Sequence, residues 1–346
     1  MKYIKLAVVL LSTIFGFGCS GGSSGGGGST PDPVVDPGTD PQPNNDRDAI
    51  DDVVDASLLE RCTIFPSSNP WNTDISQLDV HPNSDAYIRS IGLDEHLQPD
   101  VGTVFKGAKI GIPFNIVRAN TAAFNVDFQF AEESDAGPYP IPEAPRIEEA
   151  GGGGGDFHLL SVDVDDCKLY ELLGAKAPDQ PGANWTAISG AIFDLTINTL
   201  RTDYNTSADG AGLPIFPGLI RYDEVVEKGV INHALRFTAG KTQQAFIHPA
   251  THFTQNNLDP DLPPMGLRVR LKADFDISGF SAEAQVILTA LKKYGMLLAD
   301  NGGNWFITGA PDSRWDDDHL HDITDVPGSA FEAVDTGVLI PGAAIP

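Results

Sequence analysis

Gly266-Leu267-Arg268-Val269-Arg270-Leu271-Lys272-Ala273-Asp274-Phe275 alternates apolar and charged side chains almost without error. A period of two puts alternate side chains on opposite faces, so this stretch predicts a half-buried strand with one wet face. Working outward, runs of the same kind occupy 110–117, 124–130, 157–164, 168–173, 187–195, 230–238 and 245–247. Turn formers separate them: Pro138, Pro140 and Pro142, then Gly174, Asp209-Gly210 and Ala239-Gly240. One helix is clear. Ser281 suits its cap, Glu283 its positive end, and Val286, Ile287, Ala290, Leu291 and Tyr294 line one face. Asp300-Asn301-Gly302-Gly303 reads as its stop, with 304–307 returning as a strand, and a shorter helix is expected over 84–91. Many short strands with few helices predict a mainly β fold, a β-sandwich or jelly-roll-like single domain with a few helices. Helices do not alternate with the strands, which argues against a parallel α/β fold.

The N-terminus predicts where such a domain works. Lys2 and Lys5 precede an apolar core from Leu6 to Phe17, and the small residues Gly16 and Gly18 lead into Cys19. This reads as a secretory signal, 1–18, too short to span a bilayer. A cysteine directly after the small residue resembles the bacterial lipoprotein cleavage box, which makes Cys19 the expected lipidation site. Ser20 in place of Asp favours the outer membrane over inner-membrane retention. Residues 19–48 are Gly/Ser-rich, then Pro- and Asp-rich, with the composition of a disordered stalk. The remainder, 49–346, has the length and apolar content of one globular β-rich domain. The expected location is the outer membrane or cell surface of a Gram-negative bacterium, lipid-anchored, with the bilayer as partner through the acyl groups on Cys19.

The formal net charge is −26, from 48 acidic and 22 basic residues. A field of that sign repels nucleic-acid phosphates, and it opposes polyanionic glycans unless a local basic patch intervenes. Neither nucleic acid nor nucleotide is an expected partner: no phosphate-cradling glycine loop or dinucleotide fingerprint occurs, and 151–155 lacks the following Lys-Ser/Thr. No Gly-x-Ser-x-Gly elbow occurs either. With Cys19 assigned to lipid, Cys62 and Cys167 remain as a pair in an oxidising compartment, and a structural disulfide is expected.

Several stretches together resemble a group of secreted, mostly bacterial proteins to which no activity is firmly assigned. They are Asn69-Pro70-Trp71-Asn72, Glu133 to Pro140 (ESDAGPYP), Ser207 to Pro214 (SADGAGLP), Gly218 to Glu224 (GLIRYDE), His233 to Thr238 (HALRFT) and Tyr294 to Gly302 (YGMLLADNG). The resemblance covers nearly all of the chain after the stalk. It implies secretion and one folded unit, and no particular chemistry.

Candidate sites follow from residue type. His233 near Asp223 and Glu224 is equipment for acid–base chemistry near neutral pH. Asp156 and His158 flank Phe157 at a strand start and are expected on one side of the sheet. Asp135 and Asp209 sit in turns, where Asp serves the backbone, yet two such carboxylates could act in glycoside hydrolysis. His248 and His252 have the spacing of a metal pair if helical, although Pro249 permits only a helix starting there. Trp71, Tyr139, Trp185, Tyr222, Trp305 and Trp315 lie beside turn residues; such rings can stack on sugars, but most are expected as core plugs. No cofactor is implied. The expected function is a glycan-active enzyme, hydrolase or lyase, acting on neutral polysaccharide through Asp/His chemistry. The alternative is a non-catalytic surface lipoprotein that binds glycan or a protein. Convergence of the Asp and His residues in one cleft would mark the first, and an exposed row of aromatics the second.

Overall fold

Arg268–Leu271 forms a strand next to one edge of a six-stranded sheet in the structure, a computed structural model that describes residues 53–149 and 155–342. The predicted signal, Cys19, the stalk and most of 151–155 lie outside the described residues. All described residues belong to one folding unit. Across the large sheet the order is Gln98–Asp100, Phe306–Thr308, Leu235–Ala239, Met296–Asn301, Arg268–Leu271 and Phe331–Val334. It is mixed: Gln98–Asp100 runs parallel to Phe306–Thr308 and Leu235–Ala239 parallel to Met296–Asn301, while the other pairings are antiparallel. A second, four-stranded sheet has the order Ser189–Asp194, Lys168–Leu173, Leu159–Asp163 and Phe114–Val117, with the last pair parallel. Four two-stranded ladders complete the set, and among the described residues no sheet closes into a barrel. The chain is mainly strands in several sheets with few helices.

The strand that announced the fold departs from expectation on one face. Leu267, Val269 and Leu271 are buried as the alternation requires, but Arg268 is only 2% exposed. The face read as wet is covered by the segment 69–78. Arg268 donates to the carbonyls of Pro70, Thr73 and Tyr294, and Arg270 to those of Ile75 and Leu78. Arg270 also pairs with Glu332 on the neighbouring strand, at 2.8 Å. Buried arginines replace water here with main-chain oxygens. Burial pulls the Arg268 guanidinium down to about 9.

Ala282–Lys293 is helical as predicted, with Ser281 accepting from the Ala284 N–H and Ile287, Leu288 and Leu291 buried. Ser84–Ile91 is likewise a helix. The stop is misplaced in the sequence reading. The helix ends at Tyr294-Gly295, where Gly295 has φ 63° and a Cβ would stand 2.2 Å from the Val269 carbonyl oxygen. The chain then forms the strand Met296–Asn301, and Gly302 to Trp305 is the turn leading to Phe306–Thr308. Trp305, held at that turn, stacks between Phe237 and Phe331 with ring centroids 5.7 and 5.0 Å away. The main core draws on both sheets: Leu160, Val162 and Leu169 from one, Leu235, Phe237, Val269 and Leu298 from the other. Cys62 and Cys167 form the expected disulfide, with Cα atoms 5.5 Å apart.

Candidate functional site

Arg236 stands mid-strand in Leu235–Ala239, where its apolar neighbours bury it to 4% exposure. A buried guanidinium requires acceptors. Its Nη1 donates to Thr308 Oγ1 at 2.9 Å on the adjacent strand and its Nη2 to Asp209 Oδ2 at 3.3 Å. Asp209 comes from the turn 207–212, which Ser207 builds by accepting from the Asp209 N–H and donating to the Leu213 carbonyl. The next N–H, from Gly210, reaches Asp300 Oδ2 at 3.1 Å. A Cβ on Gly210 would sit 2.3 Å from Asp300 Oδ1, so only glycine lets this turn approach that carboxylate.

His158 meets this group from the smaller sheet, just before Leu159–Asp163. Its Nδ1 lies 2.7 Å from Glu148 Oε2 and its Nε2 3.1 Å from the Ala208 carbonyl oxygen. Both ring nitrogens face acceptors, which suits the doubly protonated imidazolium. Burial disfavours that cation, yet the hydrogen bond and charge of Glu148, with Asp156 adding to them, raise His158 to about 9. Glu148 responds in the opposite sense: burial opposes its ionisation, but the His158 hydrogen bond and charge outweigh this and hold it below its ordinary range.

Further carboxyls surround the pair. Burial pushes the Asp156 group up, with Glu148 and Asp300 adding to the shift against His158 and Arg236. Asp100, at the end of the large sheet's edge strand, is raised by burial and then by Glu148. Asp209 is pushed to about 7 by burial, Arg236 opposing and Asp300 reinforcing. Glu171 sits deepest. Burial favours its acid, N–H bonds from Ile215 and Phe216 at 2.9–3.0 Å favour its carboxylate, and the balance falls at about 7. The cluster is graded towards solvent. Glu171, Asp209, His158 and Arg236 are buried, Asp100, Glu148 and Asp300 are half-buried, and Asp156 is the most exposed. Such a seam can keep a proton on one carboxyl beside another that stays ionised.

Of the sequence candidates, Asp156, His158 and Asp209 converge here. His252 stands nearby, its Nδ1 2.8 Å from the Gly210 carbonyl oxygen. His248 instead pairs with Asp203 at 2.8 Å, and 248–252 is not helical, so the spacing that suggested a metal pair is not realised. Among the described residues no group of three His, Cys, Asp or Glu side chains could hold a metal ion.

His233, Asp223 and Glu224 form a separate network with Arg221 and Lys228. His233 Nε2 lies 3.0 Å from Glu224 Oε2 and Nδ1 2.8 Å from the Ala234 carbonyl oxygen. Arg221 Nη2 holds Glu224 at 2.6 Å, and Lys228 holds Asp223 at 2.9 Å. Burial opposes ionisation of Glu224, but Arg221 and His233 keep it at about 2. Asp135 pairs with Arg201 and accepts the Ile192 N–H at 2.9 Å, which fixes a loop to the small sheet. Trp71, Tyr139, Trp185, Trp305 and Trp315 are core plugs, each buried. Asp100, Glu148, Glu171, Arg236 and Asp300 escaped the sequence reading. A signal existed for Glu171 and Arg236: a lone charge within an apolar strand is buried only if partnered. Comparison with protein-family models, curated proteins and solved structures gives no match for this chain.

Proposed function

We propose that this chain is a glycan-active acid–base enzyme, a hydrolase or lyase for neutral polysaccharide, displayed at the cell surface by lipid on Cys19. One observation carries the enzymatic reading. Asp156 and Glu148 are neighbouring carboxyls gathered around His158, and their surroundings push them apart, Asp156 up and Glu148 down. Groups so separated are suited to act as acid and base in one reaction. Asp156, the most exposed of these carboxyls, is the proton donor to a leaving oxygen. Glu148, held ionised, receives a proton from water or attacks directly. His158 and Arg236 are positioning residues that fix Glu148 and Asp209. A sandwich or jelly-roll-like arrangement of the two sheets is part of the same proposal, supported by the core they share and by the side chains they jointly bring to the seam. Of the six aromatics singled out in the sequence, five are buried and Tyr222 is half-buried, which supports the enzymatic reading over a sugar-stacking row at those positions.

The test is hydrolysis of a panel of neutral polysaccharides by the full chain, read as reducing ends released. Asp156→Asn is expected to lower kcat by roughly 10²-fold or more with little change in KM. His233→Gln is expected to leave kcat per folded molecule unchanged. Calorimetric binding without product would favour the binding-only reading, and an Asp156→Asn variant of full activity would remove the acid. Mass spectrometry of the mature N-terminus tests the anchor: acylated Cys19 is expected, and an uncleaved, unacylated Met1 would overturn it.

A further inference from the structure

Beside the acidic seam, on the other side of the segment that carries Glu148, a pocket of about 480 Å³ lies between the loops carrying Thr103 to Lys109, Ala144 to Glu149 and Pro311 to Ser313. Its apolar walls are Val54, Val104, Phe114, Pro145, Ile147 and Pro311. A recess of about 20 Å³ adjoins it, sharing Val54, Phe114, Pro311 and Asp312 as walls. That volume accepts one water-sized group. Arg221 lines the recess with 7% of its side chain exposed, and its Nη1 is buried without a hydrogen-bond partner. Its Nε also lacks one, with Asp223 Oδ1 only as near as 3.5 Å. The Nη2 side is committed to Glu224, and the guanidinium lies over Phe216, 5.0 Å from the ring centroid. A buried donor left unmade costs about 1–3 kcal/mol, and native structures satisfy such groups.

Charge runs against the rest of the chain here. Acids outnumber bases 48 to 22 overall, yet Lys109 and Arg146 line the pocket and Arg221 and Arg314 the recess. Three acids accompany them: Glu149, Asp223 and Asp312. Asp312 is taken up by Arg314, which also holds Glu227, and Asp223 by Lys228. Glu149 lies 4.0 Å from Lys109, so Arg221, and not a surplus of basic groups, sets the character of the site.

We propose that this pocket binds a small carboxylate with an apolar body, one carboxylate oxygen entering the recess to accept from Arg221 Nη1. Apolar walls leading to a buried, preoriented donor are the ordinary design of a ligand site, and guanidinium favours planar oxyanions. No residue of the acid–base cluster lines the pocket, so the inference stands independently of the enzymatic reading.

Calorimetry on the full chain with 3-phenylpropanoate and with its neutral carboxamide tests it. The carboxylate is expected to bind roughly tenfold or more tightly than the amide, as a charged hydrogen bond to a buried donor requires. Arg221→Gln is expected to abolish that preference while the amide still binds. Should this variant fail to fold, Val104→Asp decides: Val104 is 58% exposed, so the change spares the core and places a negative charge on the rim. It is expected to weaken the carboxylate several-fold more than the amide. Equal affinity of acid and amide for the unaltered chain, or carboxylate binding indifferent to both substitutions, overturns the proposal.

Discussion

His158 shows how a single residue can be half legible. Its place beside Asp156 at a strand start was readable from the sequence, but Glu148, which fixes its charge, was not, because that contact depends on how the segment up to 149 packs against the small sheet. The same limit hid Asp100 and Asp300, which sequence separates widely and the sheets bring together. The consequence of the pairing is measurable. The folded His158 is raised to about 9 from an ordinary 6.5, so its contribution to stability is complete below pH 6.5 and is lost as pH rises through 9. The linkage amounts to about 3 kcal/mol at most. In urea unfolding, His158→Gln is expected to be less stable than the native chain by roughly that amount near pH 6, with the gap closing towards pH 10. A gap independent of pH would mean that the imidazole is neutral in the fold. Asp209 acts in the other direction. Its acid form is favoured up to about 7, so its burial lowers stability as pH climbs from its ordinary 3.8 to that value. Asp209→Asn is therefore expected to flatten the stability profile in that window.

At the scale of elements, local signals were read well and coverings were not. Ser281 and the apolar face at helical spacing sufficed for Ala282–Lys293, and Ser84–Ile91 ended where its pattern did. Met296–Asn301 was missed because only Tyr294 and Gly295 separate it from the helix, and a continuous apolar run carries no period to mark the change. Arg268 and Arg270 alternate as a solvent-facing row would, and nothing local says that the segment 69–78 will cover them. That covering is mutual: the arginines donate to the carbonyls of the segment, and the segment and Tyr294 supply the acceptors that buried guanidinium groups need. Arg268→Leu leaves the oxygens of Pro70, Thr73 and Tyr294 without these donors. A loss of about 3 kcal/mol or more is expected in equilibrium unfolding, together with faster amide exchange confined to 69–78. Stability within 0.5 kcal/mol of the native chain would mean that these carbonyls find water instead.

For the whole molecule, the strand-rich class was evident in the pattern, whereas the mixed direction of the strands is a product of long-range pairing that periodicity does not encode. The segment from Cys62 to Thr73 connects the two sheets. Its Phe65 N–H bonds to the Leu195 carbonyl beside the small sheet, and its Trp71 carbonyl accepts from Ala234 beside the large one. Cys62 is bonded to Cys167 between Asp163 and Lys168, at a sequence separation of 105. On the chain-entropy model a loop of that length stabilises by up to about 4.7 kcal/mol, through restriction of the unfolded chain. The bridge lies apart from Asp156, Glu148 and His158, so its effects on stability and on chemistry should separate. The double variant Cys62→Ser/Cys167→Ser is expected to melt on the order of 10 °C lower. Its kcat on a neutral polysaccharide, measured well below that Tm and per folded molecule, should match the native chain. A lower kcat at full folding would show that the bridge also sets the spacing of the two sheets at the acidic seam, since His158 and Arg236 approach it from opposite sides.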